Sequence, residues 1–211
     1  MFRDRKEAGR MLAEALSFLK AKKEDVVVLA IPRGGVPVAK EVADALGAPL
    51  GIIRTRKIRA PGNPKLAIGA VTQDGEAITD PDLVGMLGVP DDYVREEAAR
   101  QVEEIRSGMR KEGGDSPYPS LAGKTVVVVD DGIATGSTIR AAIQSVKRRG
   151  AATVILAVPV GPPDTISKLS SIADQVVCLS TPEPFYAIGE SYNEFGQVED
   201  DTVREILRRQ E

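Results

Sequence analysis

Histidine does not occur in this chain, tryptophan does not either, and cysteine occurs once, at Cys178. Without histidine there is no Ser-His-Asp hydrolysis, no His-ligated zinc and no imidazole acid-base catalysis. Whatever chemistry the chain performs falls to carboxylates, cations and backbone amides. A lone cysteine forms no intrachain disulfide, and its setting in Val176-Val177-Cys178-Leu179 predicts an inert core position. No stretch approaches membrane-spanning length and the charged N-terminal segment lacks an apolar signal core, so the cytoplasm is the expected compartment and no membrane partner is expected. A net charge of -3 and a pI near 5.3 argue against bulk binding to nucleic acid or anionic membrane. Gly-x-x-x-x-Gly-Lys-Ser/Thr and Gly-x-Gly-x-x-Gly are both absent, which excludes a Walker A loop and the dinucleotide fingerprint.

What is present centres on Val126 to Thr138, where four consecutive valines run into Asp130-Asp131-Gly132-Ile133-Ala134-Thr135-Gly136-Ser137-Thr138. The β-branched run reads as a parallel strand buried on both faces, and Ile139, Ala142, Ile143 and Val146 then recur at helical spacing. At such a strand-to-helix loop the amides of Ala134 to Thr138 can converge on a phosphate at the positive end of the helix, with the Thr135, Ser137 and Thr138 hydroxyls as further donors. Carboxylates beside an anion site would repel the ligand unless they hold sugar hydroxyls or Mg2+. A sugar phosphate meets both demands, with Asp130 and Asp131 accepting from ribose hydroxyls. An acidic, Gly-rich structural turn is the plain alternative.

Four aliphatics, Asp-Asp, a few small or apolar residues and Thr-Gly-Ser-Thr, in that order and context, resemble the phosphoribosyl pyrophosphate (PRPP) motif of type I phosphoribosyltransferases. The resemblance implies Mg2+-dependent transfer of 5-phosphoribose from PRPP to a nitrogenous base with release of pyrophosphate. Asp130 and Asp131 are then the catalytic pair and reach the Mg2+ directly or through water. Ala134, Thr135, Gly136, Ser137 and Thr138 form the ribose-5-phosphate loop. Partners are PRPP and a small acceptor base; no DNA is expected, because DNA-binding relatives carry a basic helix-turn-helix for which this chain has no spare domain. A homodimer stays open. The rival is a PRPP-sensing regulator that keeps the pocket without catalysis, while PRPP synthetases resemble two tandem copies of a motif that occurs here once.

Elsewhere the strand-loop-helix pattern repeats. Asp4 to Glu7 resembles a capping box and opens a helix, with Ala8, Met11, Leu12, Ala15, Leu16 and Leu19 on one face, that ends near Lys20. Val26 to Ile31 is a buried strand followed by Pro32-Arg33-Gly34-Gly35 and a helix carrying Val38, Val42, Ala45 and Leu46. Paired glycines let backbone approach a ligand and Arg33 adds a cation. The family resemblance makes Arg33, Gly34 and Gly35 the pyrophosphate loop, with a strained peptide bond expected between Arg33 and Gly34. A plain tight turn is the alternative.

Gly51 to Arg54 reads as the next strand, running into Arg56, Lys57, Arg59 and the turn Ala60 to Lys65. By resemblance, residues 55–70 form a flexible hairpin lid that closes over PRPP and excludes water, with Arg56 and Lys57 on the pyrophosphate. Relatives tend to carry an acid where Lys65 stands, so its role is open. Residues 80–112 read as a helical insertion, with Asp91 or Asp92 at a helix start, Tyr93, Ala98, Val102, Ile105 and Met109 on one face, and its arginines solvated. Gly113 to Ser120 is a linker, and Lys147 to Arg149 complement the end of the central helix.

Strands at Thr153 to Val158 and Gln175 to Leu179, with a helix from Asp164 between, complete an α/β doubly wound, mainly parallel sheet. Residues 180–211 form a C-terminal hood that ends in a helix from Asp201 to Arg209. The whole, 1–211, is expected as one domain. Phe185 is the candidate to stack on the base, although Phe185, Tyr192 and Phe195 could equally pack the tail onto the core. Enzymes for 6-oxopurines usually carry an Asp where Ala134 stands, and a methyl group exchanges no proton, which disfavours that acceptor class.

Overall fold

The computed structural model describes residues 1–111 and 119–208; the side chains of residues 22–24 and of residue 111 are outside that description. Most of the predicted linker at Gly113 to Ser120, together with Arg209, lies outside the described residues. Strands β1 (Val26–Ala30), β2 (Leu50–Ile52), β6 (Thr125–Val129), β7 (Thr153–Val160) and β8 (Gln175–Ser180) form an all-parallel sheet in the order β2-β1-β6-β7-β8. Strands β3 (Thr55–Ala60), β4 (Asn63–Thr72) and β5 (Ala77–Thr79) form a separate antiparallel sheet, inserted between β2 and β6.

Two-residue periodicity explains the layering. Val26, Val28, Ala30, Val127 and Val129 face helices α1 (Arg5–Ala15) and α2 (Gly35–Leu46), with Val203 of α7 (Asp200–Arg208) in the same cluster. Val27, Leu29, Val126, Val128 and Leu156 face the opposite layer, α5 (Ser137–Arg148) and α6 (Pro163–Ser170). The doubly wound expectation holds. Because β1 has β2 on one side and β6 on the other, the direction of winding reverses between β1 and β6. Ligands in open α/β sheets bind in the crevice at such a switch point, beyond the carboxyl ends of the strands.

The small sheet has a core of its own. Ile58, Ile68 and Val71 pack against Ala98, Val102, Ile105 and Met109 of α4 (Asp91–Lys111), the face anticipated from the sequence. The expected lid is therefore a hairpin built into a sheet, with its turn at Pro61 and Gly62 (φ +72°). A short helix, α3 (Pro81–Leu87), precedes α4; the Asp80 side chain accepts from the Leu83 amide at its start, a cap not anticipated from the sequence.

Other boundaries shift locally. Helix α1 stops at Ala15 and continues as 3-10 turns from Ser17 to Asp25; Met11 and Ala15 are exposed while Ala13 is buried. Asp4 caps α1 as expected, accepting from Glu7 N at 2.8 Å, but the Glu7 carboxylate returns to Arg3 N instead of closing the box on Asp4. Strand β2 begins one residue earlier than predicted and ends before Ile53. Cys178 is half-buried because β8 is an edge strand with a single neighbour; its burial still raises the thiol pKa, which keeps it unreactive. Lys147, Arg148 and Arg149 pair with Asp174, Glu76 and Asp74, so these charges serve packing.

Candidate active site

Two strand-to-helix loops meet at the switch point. The loop after β1 carries Arg33 and Gly34, and the loop after β6 carries Asp130 to Gly136. Their fit explains both glycines: a Cβ on Gly34 would lie 2.0 Å from Asp131 Oδ2, and one on Gly35 would lie 2.8 Å from Val129 O and Asp130 Cα. Any side chain at Gly34 would force the carboxylate of Asp131 aside. A cis peptide bond joins Pro32 and Arg33, one bond earlier than the Arg33–Gly34 bond anticipated from the family resemblance, and a second joins Glu183 and Pro184.

The two carboxylates differ. Asp131 is buried, and its Oδ2 accepts from Arg5 Nε at 2.8 Å, with only 13% and 11% of the Arg5 and Asp131 side chains exposed. Arg5 Nη1 donates to Gly196 O at 2.7 Å and its guanidinium lies 3.9 Å over the Phe195 ring. Tyr192, stacked on Phe195 and tilted against Phe2, donates its hydroxyl to Asp131 O at 2.6 Å. Burial, with the Asp131 charge beside it, raises the Tyr192 pKa and keeps the phenol protonated as a donor.

Asp130 instead accepts the Asp131 amide at 2.8 Å. Burial first, and the neighbouring Asp131 charge second, push its pKa well above the ordinary 3.8. One carboxyl thus sits against a guanidinium, and the other holds its proton more tightly than an isolated aspartate does.

Gly136 adopts φ +75° to turn the chain into α5, and a Cβ there would meet Thr165 Cγ2 at 2.9 Å. Arg140 N, donating to Gly136 O at 2.9 Å, closes the first turn of that helix. Among the described residues the amides of Ala134 to Thr138 donate to no protein acceptor. Unpaired amides at a helix start form an anion cradle, here with the Thr135 and Ser137 hydroxyls 3.5 Å apart beside it. Thr165 Oγ1 donates to Ala134 O and steadies the loop from α6.

The other expected residues fall in different places. Arg33 Nε lies 3.0 Å from Asp200 Oδ1, both half-exposed. Alternation along β3 separates Arg56 from Lys57: Arg56 is ion-paired to Glu104 of α4, whereas Lys57 lines a cavity of ≈ 280 Å³ between the small sheet and the loop after β6, together with Lys65, Thr135, Ser137 and Arg140. The two cations expected together thus occupy opposite faces. Phe185 is partly buried, with Ile188, against Phe2 and Tyr192. Arg5, Tyr192 and Arg140 were not singled out as site residues from the sequence; an arginine in the first turn of an N-terminal helix carries no signal that it pairs with a carboxylate 126 residues away.

No group of three or more His, Cys, Asp or Glu side chains among the described residues is arranged to cage a metal, and none of the described helices is long and apolar enough to cross a membrane.

The comparisons with known proteins agree on one family. The family model for the phosphoribosyl transferase domain matches residues 3–194. A Mycobacterium tuberculosis H37Rv protein, provisionally named a phosphoribosyl transferase, is 44% identical over 99% of this chain, which spans 47% of that relative, about half its length. The crystal structure of TT1426 from Thermus thermophilus is 43% identical with a TM-score of 0.85, over 99% of this chain and 98% of that one. A purine phosphoribosyltransferase from Pyrococcus horikoshii, 22% identical with a TM-score of 0.50 over 91% and 93% of the two chains, shares the fold. With a strand-loop-helix anion cradle, an aspartate pair at the sheet's switch point and a family model spanning nearly all its residues, this chain belongs to the phosphoribosyl transferase domain family.

Proposed function

We propose that this chain is one catalytic domain, which binds PRPP across the β1/β6 crevice and transfers its 5-phosphoribosyl group to a nitrogen nucleophile, releasing pyrophosphate. The observation that carries the reading is the coincidence of five unpaired amides, Ala134 to Thr138, with two chemically distinct carboxyls one loop-width away. Asp130 and Asp131 accept from the ribose hydroxyls, the loop from Ala134 to Thr138 holds the 5'-phosphate, and Gly34, Gly35 and Arg33 border the pyrophosphate. Departure of pyrophosphate leaves positive charge on the ribosyl ring, and carboxylates fixed beneath it stabilise that charge without reorganising. Arg5 pairs with Asp131 and orients it; its bond to Gly196 joins this to the hood, residues 180–211. The partly exposed Phe185 is the residue offered to the base.

Mg2+ fits this site as a companion of the substrate. Magnesium commonly binds through one or two carboxylates plus substrate phosphates and not in an all-protein cage, and the Asp130–Asp131 pair offers that donor set. Bound there, the ion would neutralise charge on the pyrophosphate leaving group. The acceptor is a base other than a 6-oxopurine, on the strength of Ala134, and with no described helix suited to a bilayer the setting proposed is the cytoplasm.

The test is pyrophosphate release from PRPP and Mg2+ across a panel of purines, pyrimidines and pyridine carboxylates. Release with one base, falling by about a hundredfold or more in Asp130→Asn/Asp131→Asn, is expected from removing two electrostatic contacts. PRPP binding without release from any base would favour a sensing role and overturn the catalytic reading.

A further inference from the structure

Many cations of this chain are held in ion pairs within the protein, among them Arg5 with Asp131, Arg33 with Asp200 and Arg56 with Glu104. The cavity between the small sheet and α5 breaks that pattern. Lys57 from β3, Lys65 from β4 and Arg140 from α5 all line it, and among the described residues none of the three has a carboxylate within salt-bridge distance. The one acid on its wall among the described residues, Asp80, is committed to the Leu83 amide at 3.1 Å. Thr79, and Thr135 and Ser137 of the loop after β6, also line it.

Three cations drawn from three elements into a concavity of ≈ 280 Å³ create a positive field that no described ion pair neutralises. Arg140, in the first turn of α5, sits on the same side as the unpaired amides of the loop. Strand alternation points Lys57 to this cavity, whereas Arg56 points to α4. The ligand called for is an anion contiguous with the phosphate loop.

We propose that Lys57, Lys65 and Arg140 bind the 5'-phosphate end of the donor, so that the small sheet covers the phosphate loop and not the pyrophosphate. This rests on the reading of the site as a PRPP pocket and assigns a role to Lys65, which the sequence left open. The loop amides hold the inner face of a phosphate, and the three cations close over its outer oxygens. Specificity for a phosphorylated over an unphosphorylated ribose then comes from two separate elements, one on each side of the anion.

The experiment is calorimetric titration of the intact chain with ribose 5-phosphate, Mg2+-pyrophosphate and PRPP separately, in wild type, Lys65→Gln and Arg140→Gln. Charge-assisted hydrogen bonds to a phosphate make a loss of about tenfold per cation the expected size. Affinity for ribose 5-phosphate and for PRPP should fall together, with Mg2+-pyrophosphate binding unchanged within about twofold. Lys65 is exposed, so Lys65→Gln tests the site without a folding defect, and Arg140→Lys should recover part of the loss. A selective loss of pyrophosphate affinity, or no change for any ligand, would overturn the proposal while leaving the PRPP reading intact. Failure of the wild type to bind PRPP or ribose 5-phosphate would overturn both.

Discussion

Every residue of β1 is buried and helices cover both faces of its sheet, whereas β4 begins with three exposed residues, Asn63, Pro64 and Lys65, and ends with five buried ones. The parallel sheet thus holds its loops between two cores, and a shift of either strand would disturb both. The antiparallel sheet has one core, against α4, and turns its other face toward the loop from Ala134 to Thr138. A fixed cradle and a separately supported cover are different mechanical parts. The difference teaches that the antiparallel sheet should open at lower free energy than the parallel one, since elements with fewer buried contacts do so; on the proposed PRPP reading, binding geometry would belong to the first and access to the second.

The largest expected effect comes from truncating each core in turn. Leu156 in β7 and Ile68 in β4 are both fully buried, and Leu156→Ala or Ile68→Ala should each cost about 2–5 kcal/mol by denaturant unfolding. Their hydrogen-exchange patterns should differ. Leu156→Ala lowers protection throughout the parallel sheet, while Ile68→Ala lowers it chiefly in residues 55–79. Equal loss in both sheets would show that they unfold as one unit and would remove the distinction between cradle and cover.

Arg5 ties the cradle to the C-terminal segment. Removing one partner of a nearly buried ion pair leaves the other uncompensated, so Arg5→Ala should cost about 3 kcal/mol, with Arg5→Lys recovering part of it. In the Asp131→Asn background the same substitution should cost much less, a coupling that a double-mutant cycle would measure. Additive losses would mean that Arg5 acts through Phe195 and Gly196 alone.

The smallest effect concerns Asp130. Its folded-state pKa is raised above the ordinary 3.8, so between those values the native state holds more protons than the unfolded chain. Stability from this group is complete below its ordinary pKa and is lost as pH rises through the folded one. Asp130→Asn should therefore melt higher than wild type at neutral pH, and the gap should close near the ordinary carboxyl pKa of 3.8. A gap independent of pH would rule out the buried carboxyl as its source.

How much of this was legible in the sequence follows the physics of each part. Val126 to Val129 and Val26 to Ala30 announce themselves because strands buried on both faces must be apolar throughout, and the Asp-Asp and Thr-Gly-Ser-Thr stretches follow the first of them directly. The opposite faces of Arg56 and Lys57 are present in the alternation once β3 is known to be a strand; reading the segment as a loose hairpin hides it. Arg5 and Tyr192 were not readable, because their contacts with Asp131 join residues 126 and 61 apart in the chain and depend on how the hood closes. Helix α3 is a single capped element whose described residues include none that is buried, so it left little periodicity to find.

The most direct test of the central claim is the affinity of the chain for PRPP with Mg2+, in wild type and in Asp130→Asn/Asp131→Asn, with circular dichroism to establish that both are folded. The account predicts binding by the wild type and a loss of about tenfold or more in the folded variant, because two carboxylates that accept from the ribose have become amides. Equal affinity in the two proteins would contradict it.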